Sequence, residues 1–194
     1  MVKSGDVLEH PVTQERMVIR KVARDTNGEL FQADLYLPPG GFVAAAHIHP
    51  RQEERFELIS GTLHGRVSGK ELTRRPGETL VVPAGTPHVW WNGGDDELHV
   101  VGEVRPALRT ETFFESFFGL AQDGKVHPKT GLPNILQMAV LLRAFRHEIV
   151  LAQPPTVMQT LLFGGLAPIG RALRYKAEYP YPFVRPAGEQ VHAT

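Results

Sequence analysis

Cysteine is absent from this chain of 194 residues, which excludes disulfides, zinc sites with cysteine ligands and cysteine nucleophiles. Charge of one sign is also lacking, because 21 Lys and Arg residues balance 21 Asp and Glu residues. No basic stripe stands out, so neither nucleic acid nor an anionic membrane surface is an expected partner.

Long hydrophobic runs are missing as well. The first residues, MVKSGDVLEHP, have no apolar stretch of the kind found in signal peptides. The most apolar later segment, TVMQTLLFGGLAPIG, is too short and too interrupted by Gly and Pro to span a bilayer. We therefore expect a cytoplasmic protein that does not enter the membrane.

Turn signals dominate the chain up to about Pro106. Sequences such as DTNG, LPPGG, PAGTP and NGGDDE recur every ~8–12 residues. The runs between them, such as FQADLYL, RFELIS and LHVVGEV, are short and rich in Val, Leu and Phe. Short strands at this spacing predict a mainly β fold, either a sandwich or a closed barrel.

After Pro106 the hydrophobic period becomes helical. A first helix is predicted from the spacing of Phe113, Phe114, Phe117, Phe118 and Leu120. Residues 132–152 predict a second helix, with Pro133 in its first turn. Residues 154–175 predict either one helix kinked at Pro168 or two short helices. The expected division is a β domain at 1–106 and a helical C-terminal extension at 107–194.

Imidazole and carboxylate groups cluster in GGFVAAAHIHPRQEERFELISG, residues 40–61. Alternate side chains of a strand share one face, which here would hold Val43, Ala45, His47 and His49. After a bend at Pro50, a second strand turns Glu54, Phe56 and Leu58 inward and Glu53 outward. Burying a carboxylate is costly unless it is paired or bound to a cation, and two inward imidazoles beside it favour a cation.

A second stretch, GETLVVPAGTPHVWWN at residues 77–92, adds a third imidazole. His88 begins a strand there, and Trp90 and Asn92 share its face. An antiparallel fold could bring His88 across to the first cluster. Three imidazole nitrogens and one carboxylate oxygen suit one divalent transition metal ion, of Fe, Mn, Ni, Cu or Zn.

The two stretches resemble the two motifs of the cupin superfamily. The first motif has the form G-x5-H-x-H-x4-E-x6-G, filled by Gly41, His47, His49, Glu54 and Gly61. The second has the form G-x5-P-x-G-x2-H-x3-N, filled by Gly77, Pro83, Gly85, His88 and Asn92. The resemblance covers roughly residues 17–104. It implies a jelly-roll β-barrel of six to eight strands, with the metal in its mouth held by His47, His49, Glu54 and His88.

The helical remainder is not part of the general cupin pattern. Its phenylalanine-rich segment resembles a subset of bacterial single-domain cupins with helical tails. Apolar faces this wide must be buried, either on the outside of the barrel or in a homodimer of two barrels. A hydrophobic lid or a membrane contact is less favoured, because Lys and Arg do not concentrate on one face. The Pro-rich C-terminus is expected to be extended.

Three functions remain open, because the cupin fold hosts many chemistries. The first is a metal-dependent oxygenase, with Glu54 as metal ligand and as catalytic base on a substrate hydroxyl. The others are a non-redox isomerase, cyclase or hydrolase, and a binder of a small ligand that is not an enzyme. The oxygenase is favoured because the ligand set suits redox-active ions. An apolar pocket indicates a small hydrophobic or aromatic molecule and is predicted to consist of Val43, Ala45, Phe56, Leu58 and Trp90.

The other histidines fall outside these motifs. His64 is expected to face solvent, and His99 has no assigned environment. A surface position is expected for the remaining four, which are His10, His127, His147 and His192. Asn92 and the motif glycines are expected to be structural.

Overall fold

Two antiparallel β-sheets form the first part of the protein in the computed structural model, which describes residues 1–182. The larger sheet consists of β1 (Val7–Glu9), β2 (Arg16–Lys21), β3 (Phe31–Leu37), β5 (Glu53–Ser60), β8 (Thr79–Val82) and β10 (Leu98–Arg105). Its strand order is β1-β2-β3-β10-β5-β8. A short 3-10 helix at Ala23–Thr26 joins β2 to β3.

The smaller sheet consists of β4 (His47–Ile48), β6 (Leu63–Val67), β7 (Lys70–Arg74), β9 (His88–Asn92) and β11 (Val150–Leu151), in the order β11-β4-β9-β6-β7. The mainly β prediction is confirmed, and residues 1–182 form eleven strands, one of which, β11, lies between helices of the C-terminal segment. The strand predicted from Val43 onward is only the two residues of β4. Before it, Phe42 makes an isolated bridge to Trp91 and residues 44–45 bend.

Strand parity positions the core as the sequence predicted. In β5, Glu54, Phe56 and Leu58 are buried, whereas Glu53 is exposed. One apolar cluster contains side chains from both sheets. Met17 is one of those that the larger sheet contributes. Each fully buried large apolar side chain contributes about 1.5–3 kcal/mol, so this shared core holds the sheets together.

Three helices follow the last long strand: α1 (Thr110–Gln122), α2 (Ile135–Ala144) and α3 (Thr156–Ala172). The side chain of Asn134 caps α2 by accepting from the backbone N–H groups of Leu136 and Gln137, so Pro133 precedes the helix. α2 ends at Ala144, before the predicted limit, and after a turn at residues 145–149 the chain pairs with β4 as β11. Of the two alternatives for the third segment, the single helix is correct, with Pro168 inside it.

The helical segment is joined to the barrel by apolar packing and by strand pairing. Phe118 of α1 is 1% exposed and belongs to the same apolar cluster as the barrel side chains, and Phe114 and Phe117 pack against it. β11, which lies between α2 and α3, extends the smaller sheet. Residues 175–182 continue past α3, and the backbone N–H of Tyr179 donates to Ser116 Oγ of α1. No helix within residues 1–182 has the length and apolar character needed to cross a membrane.

Candidate metal centre

Three histidines and one glutamate meet inside the barrel. His47 of β4 lies directly opposite His88 of β9, and His49 follows β4 by one residue. Glu54 projects from β5 of the other sheet. All four side chains are buried, with exposed fractions between 3% and 8%. The structure thus brings together the four residues that sequence analysis selected, and metal ligation by them stays a prediction.

The cluster has the dimensions of one metal site. Each residue offers a ligand atom, and these atoms all lie within 4.8 Å of one another. Glu54 Oε1 is 3.3 Å from His49 Nε2, and Glu54 Oε2 is 2.7 Å from His88 Nε2. Two atoms that bind one ion at about 2.0–2.2 Å and at right angles are separated by about 3 Å. The observed separations match this value.

Backbone carbonyl groups fix the tautomer of all three imidazole rings. Each Nδ1 atom lies close to a carbonyl oxygen, at 2.8 Å (His47 to Ala45), 2.6 Å (His49 to Glu148) and 2.9 Å (His88 to Thr86). Because a carbonyl oxygen only accepts hydrogen bonds, each Nδ1 atom carries the proton and donates it. The lone pair is therefore on Nε2, which is the arrangement that a second hydrogen bond imposes on metal-binding histidines.

Several polar atoms of the cluster are left unsatisfied. Within residues 1–182, His49 Nε2, His88 Nε2 and Glu54 Oε2 are buried and have no hydrogen-bond partner. The 2.7 Å contact between His88 and Glu54 is short but lacks the alignment of a hydrogen bond. Buried polar atoms in native proteins are nearly always satisfied, and one divalent cation would satisfy all three. The residues present therefore fit a bound divalent ion.

Burial and neighbouring charges set the protonation states of the cluster. Burial, followed by the nearby His88 and His49, lowers the pKa of His47 to about 3. Burial raises the pKa of Glu54, but the charges and hydrogen-bonding groups of His49 and His88 outweigh it, and this pKa lies well below its usual range. Burial lowers the pKa of His49, but Glu54 and further hydrogen bonds raise it overall. A neutral His47 and an ionised Glu54 are the forms that bind metals.

A cavity of about 90 Å³ opens beside the cluster. Four of the five residues predicted for a pocket line it, namely Val43, Ala45, Phe56 and Trp90. Leu58 instead lies in the apolar core and is 1% exposed. It is four residues from Glu54, and strand residues are about 3.3 Å apart, so it lies about 13 Å further along β5. Strand parity gave its face correctly but not its distance from the site.

The helical segment supplies much of the cavity wall. Its contribution is apolar and consists of Phe113, Phe114, Phe117, Phe118, Leu132, Met138, Leu141, Leu142, Ile149 and Leu151. The rings of Phe113 and Phe117 stack with centroids 5.8 Å apart. Sequence analysis did not place these helices at the site, and it gave less weight to a lid. The dense phenylalanine spacing of α1 was the signal available in the sequence.

Sequence analysis also missed Glu15, which lines the same cavity. Glu15 directly precedes β2 and is 8% exposed, like the buried Met17 and Ile19 that follow at alternate positions. Burial, followed by the charge of Glu54, raises the pKa of Glu15 to about 8. The sequence feature that could have revealed it is the pattern E-x-M-x-I, in which an acidic residue takes the same strand face as two inward apolar residues.

The remaining histidines lie apart from the cluster. The surface position expected for His10 is wrong, because its ring is 1% exposed and packs against the ring of Phe118. Its Nε2 lies 3.2 Å from the carbonyl oxygen of Gly131, and burial lowers the pKa of His10. His64 is half-buried, and His192 lies outside the described residues.

His99 and Asn92 have structural environments. His99 Nε2 lies 2.7 Å from Asp34 Oδ1, and Asp34 also accepts two hydrogen bonds from Arg20. The side-chain amide of Asn92 donates to the carbonyl oxygens of Leu37 and Asp96 at 2.9 and 2.8 Å. Asn92 thus fastens the end of β9, which agrees with the structural role expected for it.

Comparison with known proteins identifies the barrel. Residues 34–102 match the family model described as a cupin domain. The matched range runs from β3 into β10 and contains His47, His49, Glu54 and His88. This match agrees with the two motifs and supports a cupin domain in the barrel, with helices after it.

Individual relatives are distant. An oxidoreductase of Arthrobotrys oligospora is 26% identical over 106 residues, which are 50% of this chain and 41% of that protein. The chain thus spans about two fifths of the length of this relative. A predicted oxalate decarboxylase from Thermotoga maritima is 20% identical with a TM-score of 0.46, covering 47% of this chain and 80% of that one. KdgF from Halomonas sp. is 18% identical with a TM-score of 0.45, covering 52% and 86%.

Proposed function

We propose that this protein binds one divalent transition metal ion through His47, His49, Glu54 and His88. We further propose that it is a metal-dependent oxygenase acting on a small hydrophobic or aromatic organic molecule. The observation that carries the proposal is the convergence of three Nε2 atoms, each with its tautomer already fixed, on a carboxylate beside an apolar cavity.

The ligand set favours redox chemistry. A bound Fe, Mn, Ni or Cu ion supplies open coordination positions and the capacity to exchange electrons with dioxygen. The protein's own contribution is to hold the three rings through their Nδ1 hydrogen bonds and to keep the cavity dry. Glu54 would be a ligand, and because it also lines the cavity its carboxylate can accept a proton from a substrate hydroxyl.

The size and wall of the cavity limit the substrate. A volume of about 90 Å³ holds roughly six to nine water-sized groups. Glu15, Glu54, His47 and His49 are its titratable lining residues, and no Lys or Arg of residues 1–182 lines it. An apolar wall with few polar groups suits a small organic molecule and disfavours a phosphorylated one. The relative named as an oxidoreductase agrees with redox chemistry in general terms.

Metal analysis and oxygen uptake test the proposal. Protein purified without added metal should contain close to one equivalent of a transition metal, and the His47→Ala variant should lose most of it. His64→Ala is the matched control, because His64 is a half-buried imidazole of the same barrel outside the cluster. Equal metal content in the two variants would contradict the assignment.

The reaction class is decided separately with the metal-loaded protein. Oxygen consumption with an aromatic or diketone substrate supports the oxygenase. Turnover that persists without oxygen and with Zn would instead indicate a non-redox isomerase, cyclase or hydrolase. A rise in melting temperature with a ligand and no turnover would indicate a binding protein.

The homodimer and the cytoplasmic location stay predictions. α3 leaves large apolar side chains exposed, among them Val157, Met158, Leu161 and Leu162. Contiguous apolar surface of this kind often marks a protein contact. The mass of the protein in solution, measured by light scattering, tests whether two copies associate.

A further inference from the structure

Glu15 occupies a position from which a carboxyl group has no structural task. Its backbone is already engaged, because its carbonyl oxygen accepts from the backbone N–H of His10 at 2.8 Å. The same turn is closed by a hydrogen bond from the N–H of Gln14 to the carbonyl oxygen of His10 at 2.8 Å. The inward phase of Met17 and Ile19 extends to Glu15. A fixed backbone thus holds this side chain on the cavity side of the barrel.

The Glu15 carboxyl has no partner among the described residues. It takes part in none of the side-chain hydrogen bonds or ion pairs of residues 1–182, although more than nine tenths of the residue is buried. Its oxygens are not among the fully buried unsatisfied atoms of residues 1–182, and Glu15 lines the cavity. An ionisable side chain in an otherwise apolar wall lowers stability, which is typical of functional sites.

The surroundings of Glu15 keep it neutral. Burial raises the pKa of Glu15 to about 8, and the charge of Glu54 acts in the same direction. His47 and His49 line the same cavity, and His10 is turned toward the carbonyl oxygen of Gly131. Burial thus favours the carboxylic acid form of Glu15, which can donate a hydrogen bond as well as accept one.

We propose that Glu15 binds the substrate by donating a hydrogen bond to an acceptor oxygen, such as a keto or carboxyl oxygen, remote from the group that reaches the metal site. This inference rests on the proposed metal centre and narrows its substrate class. The substrate would be a small, largely apolar molecule with two oxygen functions, one for the ion and one for Glu15. Glu15 is then a determinant of specificity at the part of the cavity wall next to β2.

Two matched probes test the hydrogen bond. Pentanoate offers a carboxylate and an apolar tail, whereas 4-oxopentanoate adds one keto oxygen to nearly the same shape. Calorimetric titration of the metal-loaded protein should show about tenfold tighter binding of the keto acid, the ratio that corresponds to one good hydrogen bond. Glu15→Leu should abolish this preference, and Glu15→Gln should retain part of it, because an amide still donates.

The outcomes separate the two proposals. If the wild-type protein carries no metal, the proposed function fails and this inference fails with it. If the wild type and both variants carry equal metal, yet the wild type binds the probes equally or not at all, the inference alone is overturned. A preference that survives in Glu15→Leu also overturns it. Loss of metal in Glu15→Gln would make Glu15 part of the metal centre and would contradict a role on the substrate.

The melting temperature distinguishes a substrate-binding carboxyl from a structural one, because the two roles predict opposite changes in Glu15→Leu. The unfolded chain releases the Glu15 proton near pH 4.5 and the folded protein near pH 8, so the folded state binds more protons between these values. Stability from this group therefore falls as pH rises through that window. Glu15→Leu should raise the melting temperature and remove this part of the pH dependence. A lower melting temperature at every pH would show a structural carboxyl and overturn the proposal.

Discussion

The three imidazole rings of the cluster are held in two different ways. His47 and His88 each donate to a carbonyl oxygen two residues earlier in their own segments, at Ala45 and Thr86. His49 instead donates to the carbonyl oxygen of Glu148, which is 99 residues away in the helical segment. Local partners follow from the backbone of a motif, whereas remote partners depend on how the whole chain packs.

The same contrast separates the barrel from the helices. The barrel carries the ligands, and the segment after Pro106 carries the remote partner of His49 and much of the apolar wall. The helical segment thus contributes a hydrogen-bond acceptor for His49 and part of the cavity wall. Changes in the barrel should then alter metal binding directly, and changes in the helices should alter stability or alter metal affinity more weakly.

The largest effect on stability is expected from Phe118→Ala. Phe118 belongs to α1 but packs in the barrel core at 1% exposure, and truncation of a buried Phe costs about 3–5 kcal/mol. Denaturant titration should show this loss in one cooperative transition. Ile169→Ala of α3 is the control, since Ile169 is 53% exposed and should change stability little. Two separate transitions would show that barrel and helices unfold independently.

Removal of the metal should have the next largest effect. An ion that binds only the folded site stabilises it by about 2.7 kcal/mol when its free concentration is a hundred times its dissociation constant. A chelator should therefore lower the melting temperature of the wild-type protein. The His47→Ala variant serves as the control, because it should already lack the ion. A chelator effect of equal size in that variant would contradict the assigned ligands.

Removal of the metal should also loosen the contact between the two regions. β11 pairs with β4 through Leu151 opposite His47 and Val150 opposite Ile48. Hydrogen exchange of these amides should become faster in the chelated protein, because the ligand strand is no longer fixed by the ion. Unchanged exchange at β11 would show that the helical segment does not sense the metal site.

The sequence predicted the features that depend on strand parity and on the motifs. Glu54 faces inward and Glu53 outward because neighbours in a strand point to opposite sides. Strand parity could not predict that His49 donates to the carbonyl oxygen of Glu148. Nothing near His49 in the sequence indicates which carbonyl group its ring will contact. Glu15 was missed for a related reason. Its inward phase was visible, but only the packed structure shows that it lies on the cavity.

The end of α2 could not be predicted from the sequence either. Residues 145–152 continue an apolar pattern that favours a helix, yet Val150 and Leu151 gain more by pairing with the otherwise open edge of β4. Tertiary contacts often override local propensity in this way. The apolar face of α1 is a middle case, since its helix was predicted correctly but its position at the cavity was not.

The smallest effect is expected from Gln159→Leu. This variant tests whether the metal ligands depend on contacts from the helical segment as well as on carbonyl groups of their own segments. Gln159 of α3 is 4% exposed, and its amide donates to the carbonyl oxygens of Leu151 and Pro154 at 2.6 Å each. Its Oε1 accepts from the N–H of Leu151 at 3.2 Å. Leucine cannot replace these bonds, so β11 should move more freely beside His47.

His47 keeps its own hydrogen bond to Ala45. The loss of the Gln159 hydrogen bonds should therefore affect metal affinity only indirectly. We expect the metal dissociation constant of Gln159→Leu to rise about tenfold, the lower limit for changes around a ligand shell. Competition with a chromogenic chelator measures it. Thr160→Ala is the matched control, since the exposed Thr160 hydroxyl donates only to Thr156 of the same helix. A loss as large as that of His47→Ala would mean that local carbonyl groups do not suffice to hold the ligands, and an unchanged constant would mean that β11 gives them no support.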